Sequence, residues 1–281
     1  MNLQKYEQTT QFTLGYGHDH DFKLLNSISD LKSGGFYYIQ QLDTIAEAFA
    51  NCLGELISVL FESIQVNLET QACSAPFRLK KVFSNSGDNS FTVNNLLKDT
   101  KNEVVFIIEL DYCELQQDEI CIQPVKAVVN YKDVRTKQLQ RTECYLNIVI
   151  KAPQTTETIV TDTDCLTNYF RFKTAEAIKE ADQYAGKKEL EEARAEIQTC
   201  INLISQSIVA ETELGKVFIR DLEQSKRNFE NHEKYKRFGR VDNMRKTKNH
   251  MNKRSEDTCA YQNSCQKAVI TSSRSFFSKD S

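Results

Sequence analysis

The period of the apolar residues changes twice along the chain, and this change constrains the fold more than any other feature of the sequence. Residues 9–60 alternate between strand-like and helix-like patterns, residues 61–152 keep the period of two that is typical of strands, and residues 164–277 keep a helical period. A chain of 281 residues is long enough for two or three small cores. The sequence therefore predicts a multidomain α+β protein with domains at 1–60, 61–152 and 164–277.

The first segment has the order strand, helix, strand, helix. A strand is predicted over 10–17, a helix capped by Asp19 or Asp21 follows, a second strand covers 36–39, and Asp43 caps a second helix. This order predicts parallel strands in an α/β sheet. The second helix is expected to bury one apolar face, formed by Ile45, Ala46, Phe49, Leu53, Leu56, Ile57 and Leu60.

The stretch TLGYGHDHDFKLLNSIS, followed by GGFYYIQQLDTIAEAFANCLGEL, resembles the end of a von Willebrand factor A (vWA) domain. The resemblance covers the last two strands and helices and implies a partial α/β, Rossmann-like fragment. In this family a metal-ion-dependent adhesion site, built from an Asp-x-Ser-x-Ser loop, a Thr and a further Asp, binds protein ligands through a divalent ion. All of these lie upstream of the strand that matches 10–17, so none can be placed on this chain. We therefore expect the C-terminal portion of a longer vWA protein; the alternatives are that residues 1–60 pack on the β-sandwich or pair with another chain.

Two short runs contain residue types that bind metal ions, and both have a structural interpretation. Asp88, Ser90 and Thr92 fit the spacing Asp-x-Ser/Thr-x-Ser/Thr, whose oxygen ligands suit Mg2+. They stand in a cluster of Ser, Asn and Gly before a strand, which is typical of a turn. The run 18–21 (HDHD) combines imidazole and carboxylate ligands. Its position at a strand-to-helix junction favours capping of the helix, so the sequence predicts no metal site.

The cysteines and the hydropathy of the chain predict its compartment. The nine cysteines are scattered and contain no CxxC pair, which predicts free thiols in a reducing environment. No run of about 18 apolar residues occurs, and the first residues lack the basic and apolar regions of a signal peptide. The sequence therefore predicts a cytoplasmic protein without a membrane span.

Five β-rich runs, separated by turn-forming clusters, make up the second segment. Their spacing predicts a small antiparallel β-sandwich. The order of the runs, and segments such as FTVNNLLKDTKNEVVFIIEL, resemble the β domain, often labelled Vwaint, that follows vWA domains in a group of eukaryotic proteins. Some of these proteins also carry a RING finger or an intein-like protease domain. The runs are 63–68, 77–82, 103–110, 126–131 and 143–150.

The sequence offers no catalytic constellation. No histidine occurs between His20 and His232, so a Ser–His or Cys–His pair would have to form across domains. We therefore expect no catalytic residues, no enzymatic activity and no cofactor.

The third segment is predicted to be a C-terminal helical bundle. Helical periods cover 169–184, 188–208 and 211–229, and Gly186 separates the first two helices, which predicts an antiparallel hairpin. The stretch ADQYAGKKELEEARAEI superficially resembles a tetratricopeptide hairpin, but no repeat at about 34 residues follows. A solenoid is therefore not predicted.

The positive charge of the chain is concentrated in one short stretch. Residues 226–254 carry eleven Lys or Arg against three acids, a net charge of +8, whereas the first 225 residues carry −11. Within the basic segment 234–254, basic residues alternate with Tyr235, Phe238 and Met244. This pattern suits docking on the acidic body or a solvated surface, and the alternatives are nucleic acid and an anionic membrane. The candidate partner-binding residues are Lys234, Lys236, Arg237, Arg240, Arg245 and Lys246.

Three functional hypotheses follow from these observations. The first is a non-enzymatic protein-binding scaffold of the vWA family that lacks the metal-ion-dependent adhesion site. The second, implied by the resemblance, is a substrate-recruiting fragment of a vWA/RING-type ubiquitin ligase, although no RING spacing of Cys and His occurs. The third is nucleic-acid binding through the basic segment.

Overall fold

The computed structural model describes residues 10–17, 20–30, 34–39, 44–73, 77–83, 89–93, 95–110, 119–151, 161–252 and 262–277. They form a mixed α/β structure with two compact units. The sequence predicts three separate domains, whereas the structure places the first residues and the helical region in one unit. The first unit comprises Met1–Val59, Leu97–Lys101 and Phe170–Ser281, and the second comprises Leu60–Leu96 and Asn102–Tyr169.

The first unit contains a small parallel sheet with one helix on each face. Strands β1 (Thr13–Tyr16) and β2 (Phe36–Ile39) pair in parallel. Helix α1 (Phe22–Asp30) lies on one face, where the Thr13 hydroxyl donates to the Leu25 carbonyl at 2.8 Å. The Leu24 amide donates to the Asp21 carboxylate at 3.0 Å, which confirms Asp21 as the cap of α1.

Helix α2 (Ile45–Ile57) covers the opposite face of the sheet. Its strand-facing residues Ala48 and Cys52 share a core with Tyr37 and Ile39, and Phe12, Leu14 and Ile45 pack around this core. Neighbouring strand residues point to opposite faces, which explains why Leu14 meets α2 while Thr13 meets α1. The predicted caps Asp19 and Asp43 lie outside the described residues.

The predicted inner face of α2 is wrong for most of its residues. The helix buries its small residues instead, because Ala48 and Cys52 face the strands and Gly54 faces another helix. The larger apolar residues of the predicted face are exposed, namely Phe49, Leu53, Leu56, Ile57 and Leu60.

The helical part of the first unit continues through six helices. They are α3 (Thr163–Gly186), α4 (Leu190–Ser205), α5 (Glu213–Asn228), the short α6 (His232–Lys234), α7 (Arg240–Asn252) and α8 (Ser264–Phe277). A 3₁₀ turn (Ile208–Glu211) precedes α5, and a π-helical turn (Tyr235–Gly239) joins α6 to α7. Helices α3 to α5 contribute fully buried apolar side chains, among them Ile178, Ile197, Ile204, Phe218 and Leu222.

Helix α8 packs against α2 and so joins the end of the chain to its beginning. The Asn263 amide donates to the Ser58 hydroxyl at 2.9 Å, and both side chains are buried. A Cβ atom on Gly54 would lie 2.6 Å from the Cα of Gln266, so only glycine lets the two helices approach this closely. This contact explains why the first and third predicted domains belong to one unit.

The second unit consists of two antiparallel sheets. The larger sheet has the strand order β5–β3–β8–β9, with β6 beside β3, and the smaller sheet pairs β4 with β7. Apolar residues of both sheets, among them Val66, Val82 and Val125, share one core. The strands are β3 (Val59–Thr70), β4 (Phe77–Phe83), β5 (Ser90–Val93), β6 (Leu96–Leu97), β7 (Val105–Leu110), β8 (Glu119–Asp133) and β9 (Leu139–Lys151).

None of the described helices combines the length and the apolar character that a membrane crossing requires.

Replacing a fully buried side chain tests the helical core. Phe218 has no exposed surface, so Phe218→Ala removes a large packed group and leaves a cavity. We expect the free energy of unfolding to fall by about 3–5 kcal/mol. Chemical denaturation followed by circular dichroism measures this change. Leu203→Ala, on an exposed face of α4, is the matched control and should change stability by less than about 0.5 kcal/mol.

Candidate partner-binding surfaces

Helix α2 exposes a row of large apolar side chains, which we call the α2 arc. It consists of Phe49, Leu53, Leu56 and Ile57, whose exposed fractions lie between 45% and 62%. The spacing of four, three and one residues places these side chains on one side of the helix. Contiguous apolar surface of this kind is uncommon on monomeric proteins and is typical of interaction sites.

The α2 arc is exposed because the other sides of the helix are occupied. Ala48 and Cys52 face the strands. On another side, the Gln262 amide donates to the Asn51 side chain at 3.2 Å, and Arg274 pairs with Glu47 at 2.9 Å. The arc therefore lies between a side that packs on the sheet and a side that packs near α8.

A second feature of the same unit is the outer edge of β1, the edge that faces away from β2. The amides of Thr13 and Gly17 donate to the carbonyls of Gly35 and Ile39 at 2.9 and 3.1 Å. Because backbone groups alternate in direction along a strand, those of Leu14 and Tyr16 point to the opposite edge. No strand among the described residues pairs with that edge.

The Tyr16 side chain extends this surface. It has the same strand parity as Leu14, so it lies on the face of the sheet that α2 covers, and 54% of it is exposed. The same compact unit thus contains a strand edge with which no described strand pairs and a set of exposed apolar side chains, Tyr16 and the α2 arc.

The structure separates the six basic candidates into two groups. Arg245 and Lys246 bind the Asp242 carboxylate at 2.7 and 2.6 Å, and Lys234 pairs with Glu230 at 2.9 Å. The Lys246 side chain is buried, so it is not available to a partner. The other candidates are exposed and form no ion pair within the described part of the chain; they are Lys236, Arg237 and Arg240.

The Asp242 carboxylate is the centre of a buried polar cluster. The Asn228 amide donates to Asp242 at 2.8 Å and to the Asn243 side chain at 2.9 Å. Burial acts to raise the pKa of Asp242, but the positive charges of Lys246 and Arg245 outweigh it, so the pKa lies below its ordinary value of 3.8. Within the basic segment, the negative charge of Asp242 is therefore balanced by Lys246 and Arg245.

The basic segment is further anchored to other helices. His250 is buried, and its Nε2 lies 3.1 Å from the Asp221 carboxylate of α5. The Arg171 guanidinium of α3 donates to the His250 carbonyl. The Lys248 ammonium lies 3.2 Å from the Ser29 hydroxyl of α1. These contacts hold α7 against three other helices.

The π-helical turn presents the exposed cations. A Cβ atom on Gly239 would lie 2.8 Å from the Asn228 side chain, so the turn packs tightly on α5. The Tyr235 hydroxyl donates to the Asp182 carboxylate at 2.8 Å, which fixes the turn on α3. Phe238 is partly exposed, and the Arg237 guanidinium lies over its ring at 4.9 Å from the centroid.

The two metal-like runs fall only partly within the described residues. Asp88, His18 and Asp19 lie outside the described residues. Ser90 stands in β5, where its hydroxyl donates to the Asn67 side chain at 2.6 Å. Within the described ranges, no group of three or more His, Cys, Asp or Glu side chains is placed to hold a metal ion.

Sequence reasoning missed the α2 arc because an amphipathic pattern predicts burial of its apolar side. One signal was present: Ala48, Cys52 and Gly54 form rows of small residues beside the large ones, and small residues permit close packing of neighbouring elements. These small residues mark the sides of α2 that pack on the strands and on α8.

Comparisons with known proteins give one match in sequence and two in structure. A family model described as "CPSF6-like, RSLD domain, N-terminal region" matches residues 162–261, which span α3 to α7. No curated protein matches the chain at a significant level.

Both similar structures are of prokaryotic proteins. The ArnB paralog VWA2 from Sulfolobus acidocaldarius is 16% identical, with a TM-score of 0.45; the match covers 88% of this chain and 58% of that one. The von Willebrand factor type A protein from Catenulispora acidiphila is 17% identical, with a TM-score of 0.48 and coverages of 79% and 53%. The chain thus spans little more than half the length of either protein.

The lowered pKa of Asp242 makes a prediction about stability and pH. A carboxyl whose pKa is lower in the folded state stabilises the fold above its unfolded pKa, and this contribution is lost as the pH falls through the folded pKa. At pH 6 we expect Asp242→Asn to reduce the free energy of unfolding by about 3 kcal/mol, because Lys246 loses its buried partner. Below pH 3 the difference between variant and wild type should shrink.

Urea denaturation at both pH values measures this difference. The control is Glu213→Gln, which removes a surface pair with Lys216 and should change stability little at either pH. An unchanged difference at low pH would show that Asp242 does not stabilise the fold through its charge.

Proposed function

We propose that this chain is a non-enzymatic protein-binding scaffold of the vWA family and that the α2 arc is its contact surface. The observation that carries the proposal is the exposure of Phe49, Leu53, Leu56 and Ile57 on one side of a helix whose other sides are packed. Completing the burial of such side chains contributes on the order of 1 kcal/mol each. A partner that covers the arc therefore gains several kcal/mol from apolar contact alone.

The vWA assignment and the absence of its adhesion site belong to this proposal. They rest on the resemblance of TLGYGHDHDFKLLNSIS and the following residues to the end of a vWA domain. By the same resemblance, the second unit is proposed to be Vwaint-like. Binding would then use apolar surface instead of a divalent ion.

The proposal of a non-enzymatic protein is supported by the environment of the ionisable groups. His250 is buried beside Asp221 and so cannot reach a substrate. Asp242 and Lys246 are engaged with each other. The first pair joins α7 to α5 and the second lies within α7, so both have a structural use. The ubiquitin-ligase alternative and the cytoplasmic location stay predictions; a pull-down of ubiquitin-conjugating enzymes tests the first.

Site-specific photo-crosslinking tests the α2 arc. A benzophenone amino acid at position 53 should crosslink to another polypeptide in cells and give an adduct of defined mass. Changing Leu56 to Asp should remove this adduct, because a charge would then be buried at the contact.

The same amino acid at position 203 is the matched control. Leu203 is exposed to a similar extent on α4, outside the arc. If the adducts at positions 53 and 203 were the same, or if Leu56→Asp left the adduct at 53 intact, the α2 arc would not be the contact surface.

A second candidate function is the binding of single-stranded nucleic acid at the π-helical turn. It is supported by the exposed charges of Lys236, Arg237 and Arg240, which form no ion pair with any described residue, beside the partly exposed ring of Phe238. Cations bind the phosphates, and aromatic rings stack on bases without strong sequence preference.

Salt-dependent binding to a fluorescent single-stranded oligonucleotide tests this function. Changing Lys236, Arg237 and Arg240 together to Gln should weaken binding and lower the slope of log affinity against log salt by about 2, because each phosphate contact of a single strand contributes about 0.7. The control replaces Lys187, Lys188 and Lys267, which are exposed elsewhere, so that the net charge is equal. Equal effects of the two triple variants would exclude a specific site at the turn.

A further inference from the structure

Helix α2 turns a polar side inward, and α8 supplies the hydrogen-bond partners of that side. The side chains of Asn51 and Ser58 are each only 1% exposed. The Gln262 amide donates to Asn51 at 3.2 Å. The Asn263 amide donates to the Ser58 hydroxyl at 2.9 Å. These bonds form only while this side of α2 faces α8, so α8 specifies how α2 is oriented about its own axis.

The α2 arc is offset by one residue from the side of the helix that packs on the strands. Ala48 and Cys52 face the strands. Phe49 and Leu53 each follow one of these residues directly, and both are more than half exposed. One residue corresponds to a rotation of about 100° about the helix axis. A rotation of this size would therefore place the arc on the strands.

The residues of α2 favour the rotated orientation when α8 is withdrawn. Large apolar side chains would replace small ones against the strands, and the additional buried apolar area stabilises that arrangement. The same rotation carries the side that faces α8, with Glu47, Asn51 and Ser58, toward the solvent. The amphipathic pattern of α2 predicts this same inner face from the sequence alone.

We propose that α2 has two orientations and that the docking of α8 selects the one in which the α2 arc is exposed. In the second orientation α8 is withdrawn, the arc packs on β1 and β2, and the contact surface is hidden. The inference rests on the proposed function, because it describes the regulation of that same surface. By linkage, a partner that binds the arc stabilises the docked state of α8.

Two thiol reporters distinguish the orientations. Cys52 is buried against the strands, with 7% exposure, and turns away from them in the second orientation. The variant Phe49→Cys places a thiol in the arc, which is exposed in the first orientation and buried in the second. Alkylation of the whole chain under reducing conditions, assigned to residues by tandem mass spectrometry, measures both rates. Cys200, which is buried in α4, reports general unfolding.

The substitution Gly54→Ala, made in the chain that carries Phe49→Cys, displaces α8. Its Cβ atom would lie 2.6 Å from the Cα of Gln266, so the helices must move apart. We expect alkylation at position 52 to become at least about tenfold faster and alkylation at position 49 at least about tenfold slower, because the two thiols exchange their environments. The rate at Cys200 should stay unchanged.

The matched control is Gly186→Ala, whose Cβ atom would meet nothing within 4 Å. It should change neither rate. A second test variant, Asn263→Ala, removes the bond to Ser58 without adding a clash, and we expect the same opposite changes at positions 52 and 49, smaller in size. If Gly54→Ala exposes Cys200 through general unfolding, the result with Asn263→Ala decides.

The outcomes separate this inference from the proposed function. Faster alkylation at both positions would show local unfolding of α2, and unchanged rates at both would show that α8 does not select its orientation. Either result overturns the inference and leaves the scaffold function to its own test, the adduct from position 53. Opposite changes without any adduct from position 53 would support the two orientations and remove the scaffold function.

Discussion

The packing of α8 against α2 is the contact on which the first unit depends. It joins residues that are distant in sequence: the Gln262 and Asn51 side chains bond across a separation of 211 residues. The absence of a side chain at Gly54 sets the distance of approach, and Asn263 and Ser58 satisfy each other's polar groups where the helices meet. Bringing together residues so far apart in the sequence costs loop-closure entropy, and the contacts between α2 and α8 must offset this cost. The α2 helix that covers the small β1–β2 sheet is therefore held by residues that lie far from it in the sequence.

Charge in this molecule is arranged by short-range pairing more than by the attraction of a basic stretch to an acidic body. Asp242 lies within the basic segment and binds Arg245 and Lys246 of the same helix. Specific contacts join α7 to other helices, among them those of His250 with Asp221 and of Lys248 with Ser29. The net charge of a sequence segment does not show which of its Lys and Arg side chains form ion pairs within the protein. Within the described part of the basic segment, the exposed cations outside ion pairs are Lys236, Arg237 and Arg240, at the π-helical turn and the start of α7.

The types of the elements could be predicted from the sequence, because each follows from the local period of apolar residues. The mixed α/β character and the parallel strand pair fall in this class, as does Asp21 as the cap of α1. The side of α2 that is buried could not be predicted in the same way. Its pattern has two apolar sides, and the choice between them depends on α8, whose place is set by long-range contacts. Likewise, no local rule states that Lys246 is buried while Lys236 is exposed.

The π-helical turn fixes the rotational phase of the helix that follows it. A π turn holds one residue more than an α-helical turn, and one residue rotates a helix by about 100°. Deleting a residue between Tyr235 and Gly239 would allow an unbroken α-helix, but it would swing Asp242, Lys246 and His250 away from Asn228 and Asp221. The number of residues in this short stretch is thus as strictly constrained as the identities of Tyr235 and Gly239, which pack on α3 and α5.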